Sequence, residues 1–172
     1  STDWLSWKSS QPAMAAVDQN GNVKAIAPGK LAITVTTESG KSASCNLLVG
    51  LRKGDVITNG IYRYKVTNTM VDGSGEVEVI GFVKGRSAKK VSIPKSVAWN
   101  GIKYNVTSVG TRAFIKNKKI RNIVIPDSVR KIRHKAFYAC PNVKKLTIGK
   151  NVSFMGAHAF CLNKKLEKIV FR

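Results

Sequence analysis

The chain has 172 residues, of which 43% are hydrophobic, so it can build a core and is not a disordered tail. It carries 30 Lys and Arg against 9 Asp and Glu, a net charge of +21, and no apolar run is long enough for a transmembrane helix. Residues 80–172 hold 22 basic and 2 acidic side chains. This imbalance favours a polyanionic partner, although a protein that only repels its own copies by charge would have the same composition.

Residues 1–50 have the pattern of an all-β unit. Short strands are predicted at 14–17 and 23–27, on either side of an Asp-Gln-Asn-Gly-Asn turn. Residues 31–36 and 43–49 alternate apolar and polar side chains, which is typical of half-buried strands. A turn is predicted at 38–41, between these two strands.

Four segments of this region, 7–10, 16–23, 27–35 and 42–49, resemble a group 2 bacterial immunoglobulin-like domain. The first two strands of that family, upstream of Trp7, have no counterpart in this sequence. The resemblance therefore predicts a partial sandwich that either starts within the domain or is completed by another chain. It also implies an extracellular address, because such domains serve as spacers in bacterial surface proteins.

Residues 51–83 are predicted to form a β-hairpin that caps the repeats after it. Residues 61–66 and 76–80 alternate as a strand pair, and a turn is predicted at 72–75. A cap of this kind would cover the apolar surface and the open strand edge at the start of a repeat array. Tyr62 and Tyr64, on one face of the first of these strands, are interpreted as side chains that pack in the core rather than bind a ligand.

Residues 84–172 repeat with a period of 23, the signature of a solenoid whose units stack into one core. At this step Phe114, Phe137 and Phe160 superpose, each preceded by Ala, and we expect their rings to form one buried column. Strand triplets superpose as well, at 123–125, 146–148 and 169–171. An earlier coil at 91–97 fits after one insertion, in which Asn100-Gly101 predicts a type I′ hairpin turn.

The repeated pattern Ile-Pro-x-Ser-Val, Ile-x-x-x-Ala-Phe and Cys-x-x-Val-x-x-Leu-x-Ile resembles the BspA-type bacterial leucine-rich repeat. Coil 126–148 carries it most completely, and the resemblance covers about 54–172. It implies a mainly β fold with short helical turns near Ala-Phe: a horseshoe or flat solenoid of about four coils. Family members are secreted or surface-attached and often linked to adhesion, so an extracellular bacterial location is expected.

Catalysis and metal binding are poorly supported by the residue spacing. His134 and His158 stand 24 apart, one step out of register, and neither has a zinc-binding or nucleophile–base spacing. Cys45, Cys140 and Cys161 lack Cys-x-x-Cys spacing and are interpreted as buried small side chains, with a bridge between the last two left open. No enzyme activity, metal or cofactor is expected.

The basic side chains that accompany the strand triplets are the candidate binding site. Since strand residues alternate, Ile123 and Ile125 should face the core, and the side chains between and before them should face outward. The candidate ligand-binding residues are Lys89, Lys90, Arg121, Lys144, Lys145 and Lys168. Like charges stacked about 4.8 Å apart cost stability unless they are screened, and this favours an anionic ligand.

A second basic group weakens the assignment of a single site, because it lies across the turns and the opposite side of each coil. Its members are Arg112, Lys116, Lys118, Lys119, Arg130, Lys131, Arg133 and Lys135. Basic side chains that merely extend into water would also account for the strand face.

Two functions of different classes follow from these patterns. The first is a binding or adhesion module for an anionic glycan, a teichoic acid or a host surface protein, with nucleic acid left open as a ligand. The second is a structural spacer that holds another domain away from the cell wall. The sequence ends on strand 169–171 without a capping segment, so Phe171 is expected to be partly exposed or covered by self-association.

Overall fold

The structure, a computed structural model, describes residues 4–70 and 74–172. These residues form 16 β-strands, and no helix occurs among them. Two compact units are present, one built mainly from residues 4–51 and the other mainly from residues 52–69 and 75–172. The turn predicted at 72–75 lies largely outside the described residues.

The first unit is a small antiparallel β-structure. Its strands are β1 (Leu5–Ser9), β2 (Ala15–Val17), β3 (Val23–Ala25), β4 (Gly29–Thr37) and β5 (Ser42–Val49). Strands β1, β4 and β5 form one sheet in the order β1-β4-β5, and β2 pairs with β3. Ala15, Leu31 and Ile33 form the buried core, against which Trp7 and Met14 pack. The four strands predicted in this region are confirmed, and β1 adds a fifth.

The second unit consists of two sheets. Its strands are β6 (Val56–Asn59), β7 (Tyr62–Thr69), β8 (Gly75–Phe82), β9 (Lys90–Ser92), β10 (Ser96–Trp99), β11 (Ile102–Val109), β12 (Asn122–Val124), β13 (Lys131–Ile132), β14 (Lys145–Ile148), β15 (Phe154–Met155) and β16 (Lys168–Phe171). A four-stranded sheet has the order β16-β14-β12-β9. A seven-stranded sheet has the order β15-β13-β11-β8-β7-β6, with β10 paired to β11.

The last three coils pair in step with the 23-residue period. Asn122 pairs with Lys145, and Lys145 pairs with Lys168, in parallel ladders. The inserted segment forms the hairpin β10–β11, where Asn100 and Gly101 have φ values of 47° and 74°. These are the two positive angles that a type I′ turn requires, so the predicted turn is confirmed.

The Ala-Phe segments are turns that hydrogen-bond from coil to coil. The Phe114 amide donates to the Ala136 carbonyl, and the Phe137 amide donates to the Ala159 carbonyl, both at 2.8 Å. A left-handed residue precedes each Ala-Phe pair; these residues are Arg112, Lys135 and His158, with φ of 57°, 54° and 58°. Because this conformation interrupts helical bonding, amide groups that a helix would use internally are free to bond to the next coil.

The aromatic column predicted from the repeat is present. The Phe114 and Phe137 rings stack with centroids 5.0 Å apart and planes 7° apart, and Phe137 and Phe160 stack at 5.3 Å and 4°. Phe114 and Phe137 are buried, whereas Phe160 is half-buried. Phe82, at the end of β8, meets Phe114 edge-to-face at 5.0 Å. The hairpin strand β8 thus joins the same core, although its role as a cap remains a prediction.

Large apolar side chains of the last coil are open to solvent. Ile169 and Phe171 on β16 are 49% and 71% exposed, and Phe154 and Met155 on β15 are 51% and 48% exposed. In the preceding coil the corresponding residues, such as Leu146 and Ile132, are buried. The expected exposure of Phe171 is confirmed.

Stacking of the coils leaves no room for a side chain at Gly149. A Cβ atom there would lie 2.5 Å from the carbonyl carbon and oxygen of Pro126, in the coil before it. Gly149→Ala is expected to lower the free energy of unfolding by about 1–3 kcal/mol, because the two backbones must move apart. Chemical denaturation measures this, with the exposed neighbour Lys150→Ala as the control. Equal stability of the two variants would contradict the coil spacing.

Candidate functional site

The outer face of the four-stranded sheet holds a column of basic side chains in register. Lys90, Asn122, Lys145 and Lys168 are direct neighbours across β9, β12, β14 and β16, and all four are exposed. The next residue of each strand points the other way; Ile123, for example, is fully buried. The predicted outward and inward faces of these strands are confirmed, and the backbone ladder keeps the column members close together.

A second basic column precedes the first by one residue. Backbone amides of Arg121 and Lys144 donate to the carbonyls of Lys89 and Arg121, each at 2.7 Å, so these residues also stack coil upon coil. The Lys144 ammonium lies 3.2 Å from the Glu167 carboxylate. Both side chains are exposed, so this pair adds little stability, but it offsets the charge at one end of the column.

Four of the six candidate residues line two separate depressions. A depression on the sheet, here called the sheet-face pocket, has a volume of about 340 Å³ and contains Lys90 and Lys145. Asn122, Thr147 and Arg172 complete its polar lining.

A separate depression of about 450 Å³, here called the edge pocket, contains Lys89 and Arg121. Lys118 and Lys119, which the sequence analysis assigned to the second basic group on the turns, line this same pocket. Neither Lys144 nor Lys168 lines either depression.

The opposite side of the coils is partly neutralised by ion pairs. Arg130 pairs with Glu76, and the Arg133 Nε donates to Glu78 at 2.8 Å. Thr107 also donates a hydroxyl hydrogen bond of 3.4 Å to Glu76. The sequence analysis missed these pairs because the partners lie more than 50 residues apart; the alternating glutamates of β8 were the only signal. Two of the basic side chains on this side are therefore balanced by carboxylates.

The cysteines are unpaired and differ in their surroundings. Cys140 is buried, and burial raises the pKa of its thiol, which donates to the Phe114 carbonyl at 3.1 Å. Cys45 and Cys161 are exposed, so the interpretation of all three as buried side chains was wrong for these two. Cys161 follows a turn on the coil that also exposes its apolar strands. Cys45 lies opposite the buried Ile33, on the face of β5 that carries Leu47 and Val49, but the small core of this unit leaves its side chain exposed.

The two histidines lie closer together than their spacing suggested. The His134 and His158 rings meet edge-to-face at 6.1 Å, and His158 Nδ1 lies 3.4 Å from Cys161 Sγ. Within residues 4–70 and 74–172, no three His, Cys, Asp or Glu side chains are grouped so that they could hold a metal ion. The same ranges contain no helix capable of crossing a membrane.

Parallel strands repeated every 23 residues, with a stacked aromatic column between them, define a leucine-rich-repeat protein. The family model of the BspA type leucine rich repeat region matches residues 82–172 in 6 copies, more than half of the chain, and the chain belongs to this family. A model of the bacterial Ig-like domain (group 2) matches residues 1–47. Both resemblances seen in the sequence are confirmed. These domains are typical of bacterial surface proteins, and the repeat family is generally non-enzymatic.

Two solved bacterial proteins have the same fold. A leucine-rich repeat protein from Bacteroides ovatus is 30% identical, with a TM-score of 0.59 over 66% of this chain and 28% of its own. A leucine rich cell surface protein from Faecalibacterium prausnitzii is 26% identical, with a TM-score of 0.55 over 67% of this chain and 30% of its own.

An uncharacterized protein of Clostridium acetobutylicum is 28% identical over 125 residues, which are 73% of this chain. The chain spans only 12% of the length of that relative. A second uncharacterized protein of the same organism is 34% identical over 65 residues, which are 16% of its length. The similarity therefore concerns one part of much longer proteins.

Proposed function

We propose that the chain is a non-catalytic binding module of the bacterial surface, which holds an anionic polymer against the outer face of its four-stranded sheet. Lys90, Lys145 and Lys168 are the residues that would contact the polymer. The observation that carries the proposal is that these lysines stand in one strand register, exposed, and without a carboxylate partner in the described part of the chain.

The stacking of these charges gives the physical reason. Neighbouring strands of a sheet lie about 4.8 Å apart, so Lys145 and Lys168 bring two ammonium groups close together on a fixed backbone. Such a pair repels itself, and an anion that lies along the column relieves the repulsion for several side chains at once. A polymer with regularly spaced anionic groups, such as a teichoic acid or an acidic glycan, suits a column better than a single small ion does.

The remainder of the sheet face supplies polar contacts. Asn122 stands in the column between Lys90 and Lys145, where its amide can hydrogen-bond with a sugar or phosphate oxygen. Arg172 and Thr147 line the same sheet-face pocket. None of these groups is buried, so we expect binding that forms fast and is broad in specificity.

The structural spacer is the alternative, and the immunoglobulin-like unit favours it. A spacer requires no column of unpaired lysines. Arg130 and Arg133 pair with glutamates, as expected of charged residues that only stabilise the fold. The stacking of the unpaired lysines in one strand register supports binding over the spacer.

Salt dependence tests the proposal directly. The whole chain is titrated with polyglycerol phosphate, a sulfated glycan and single-stranded DNA at about 50 and 200 mM salt. On a single-stranded polyanion, three or four neutralised phosphates predict an affinity loss of roughly 20- to 50-fold over this range. Absence of binding at the lower concentration, or binding indifferent to salt, would favour the spacer. Preference for one polymer over the others would identify the ligand class.

A further inference from the structure

The edge pocket is a concave, strongly cationic site at the start of the strands of the four-stranded sheet. Its basic lining comes from two successive coils: Lys89 just before β9, and Lys118, Lys119 and Arg121 just before β12. Ser87 and Ala88 form its floor on the first coil, and Asn142 closes it from the third. Its volume of about 450 Å³ falls within the range of small-molecule sites.

The pocket exists because neighbouring coils carry side chains of different size at matching positions. Lys89 and Arg121 are joined by a 2.7 Å backbone hydrogen bond, so Ala88 faces the position of Ile120, and Ser87 faces that of Lys119. Ser87 and Ala88 are small and leave a space on the first coil. The long basic side chains of the second coil line this space.

The loop that carries the two turn lysines is held in place by hydrogen bonds. The Asn117 side-chain oxygen accepts the backbone amides of Lys119 and Ile120 at 2.9 and 3.1 Å. The Asn142 side-chain amide donates to the Lys118 carbonyl at 2.8 Å. The cationic lining therefore rises from an ordered backbone rather than from a freely moving loop, and this lowers the entropic cost of binding a ligand there.

No carboxylate balances this charge in residues 4–70 and 74–172. The three ion pairs found there engage Arg130, Arg133 and Lys144, none of which lines the edge pocket. Four cationic side chains thus converge on one concave space, and a ligand with more than one negative charge on a compact group matches them best. An arginine offers parallel N–H donors to two oxygens of such a group, and lysines act as point charges around it.

We propose that the edge pocket is a discrete binding site for a phosphate monoester. Arg121 would contact two oxygens of the phosphoryl group, while Lys89, Lys118 and Lys119 would balance its charge. A monoester carries close to two negative charges at neutral pH, whereas a phosphodiester carries one, so the monoester gains more from four cations. This inference goes beyond the polymer-binding proposal and does not depend on it, because the edge pocket and the sheet-face pocket have no lining residue in common.

Calorimetric titration with glycerol phosphate tests the site, in about 0.1 M salt, where the Debye length of about 10 Å limits effects of distant charge. We expect saturable binding of one equivalent. Lys89→Gln with Arg121→Gln should weaken it about 10-fold or more, as expected when hydrogen bonds between charged groups are lost. Lys103→Gln with Lys131→Gln removes the same charge from the seven-stranded sheet and should leave the affinity within about twofold. Unchanged melting temperatures verify that both double variants are folded.

Three results would overturn the inference: no saturable binding, equal weakening in both double variants, or a phosphodiester probe that binds as tightly as the monoester. Inorganic phosphate serves as a second probe. Equal affinity for inorganic phosphate and glycerol phosphate supports a site for the phosphoryl group alone, and tighter binding of glycerol phosphate supports additional contacts to the alcohol. Failure of the polymer titration with glycerol phosphate binding intact would refute only the sheet-face proposal.

Discussion

Phe137→Ala is expected to lower the free energy of unfolding by about 3–5 kcal/mol, the usual loss for a buried phenylalanine. The Phe137 ring is fully buried and stacks on both Phe114 and Phe160, at 5.0 and 5.3 Å. Its removal leaves a cavity in the middle of the aromatic column, and the close-packed coils on either side can collapse into it only in part. Urea denaturation followed by circular dichroism measures the change.

Phe160→Ala is the matched control for this substitution. Phe160 has the same chemistry and the same position in the repeat, but it is half-buried and has a stacking partner on one side only among the described residues. We expect it to cost clearly less than Phe137→Ala. A similar loss at both positions would mean that burial within the column does not set the stability of the array.

Reversal of two charges on the sheet face, Lys145→Glu with Lys168→Glu, is expected to abolish binding of the anionic polymer. The two residues are direct register partners on β14 and β16, and both side chains point outward. The change replaces two attractive charges by two repulsive ones within the proposed contact. The fold should remain intact, because neither residue belongs to the core.

The control for this reversal is Lys103→Glu with Lys131→Glu. Both residues are exposed strand residues of the seven-stranded sheet, and the change in net charge is the same. Lys118 and Lys119 are unsuitable for this purpose because they line the edge pocket. Affinity is measured by titration at low and moderate salt. If the two double variants bind equally, the sheet face is not the site and net charge alone drives association.

The sequence by itself determined the repeat and the orientation of its strands. A period of 23 identified the Phe114, Phe137 and Phe160 column, because each coil repeats the same local pattern of buried and exposed residues. Alternation within each triplet assigned Lys145 to the outer face and its neighbour Leu146 to the core, since successive strand residues point to opposite sides. The Asn-Gly turn followed from the φ angles that its residue types adopt without strain.

The tertiary structure decided which charges are balanced and which converge. Arg133, directly after β13, reaches Glu78 on β8 across β11, the strand that pairs with both. Lys119 and Lys89 line one pocket because the side chains of Ser87 and Ala88 on the first coil are small. The 23-residue repeat does not predict that these two lysines share a pocket. Local sequence patterns specify how a residue points within its own coil. Partners across coils are specified by the packing of whole coils against one another, and that packing brings together residues far apart in the chain.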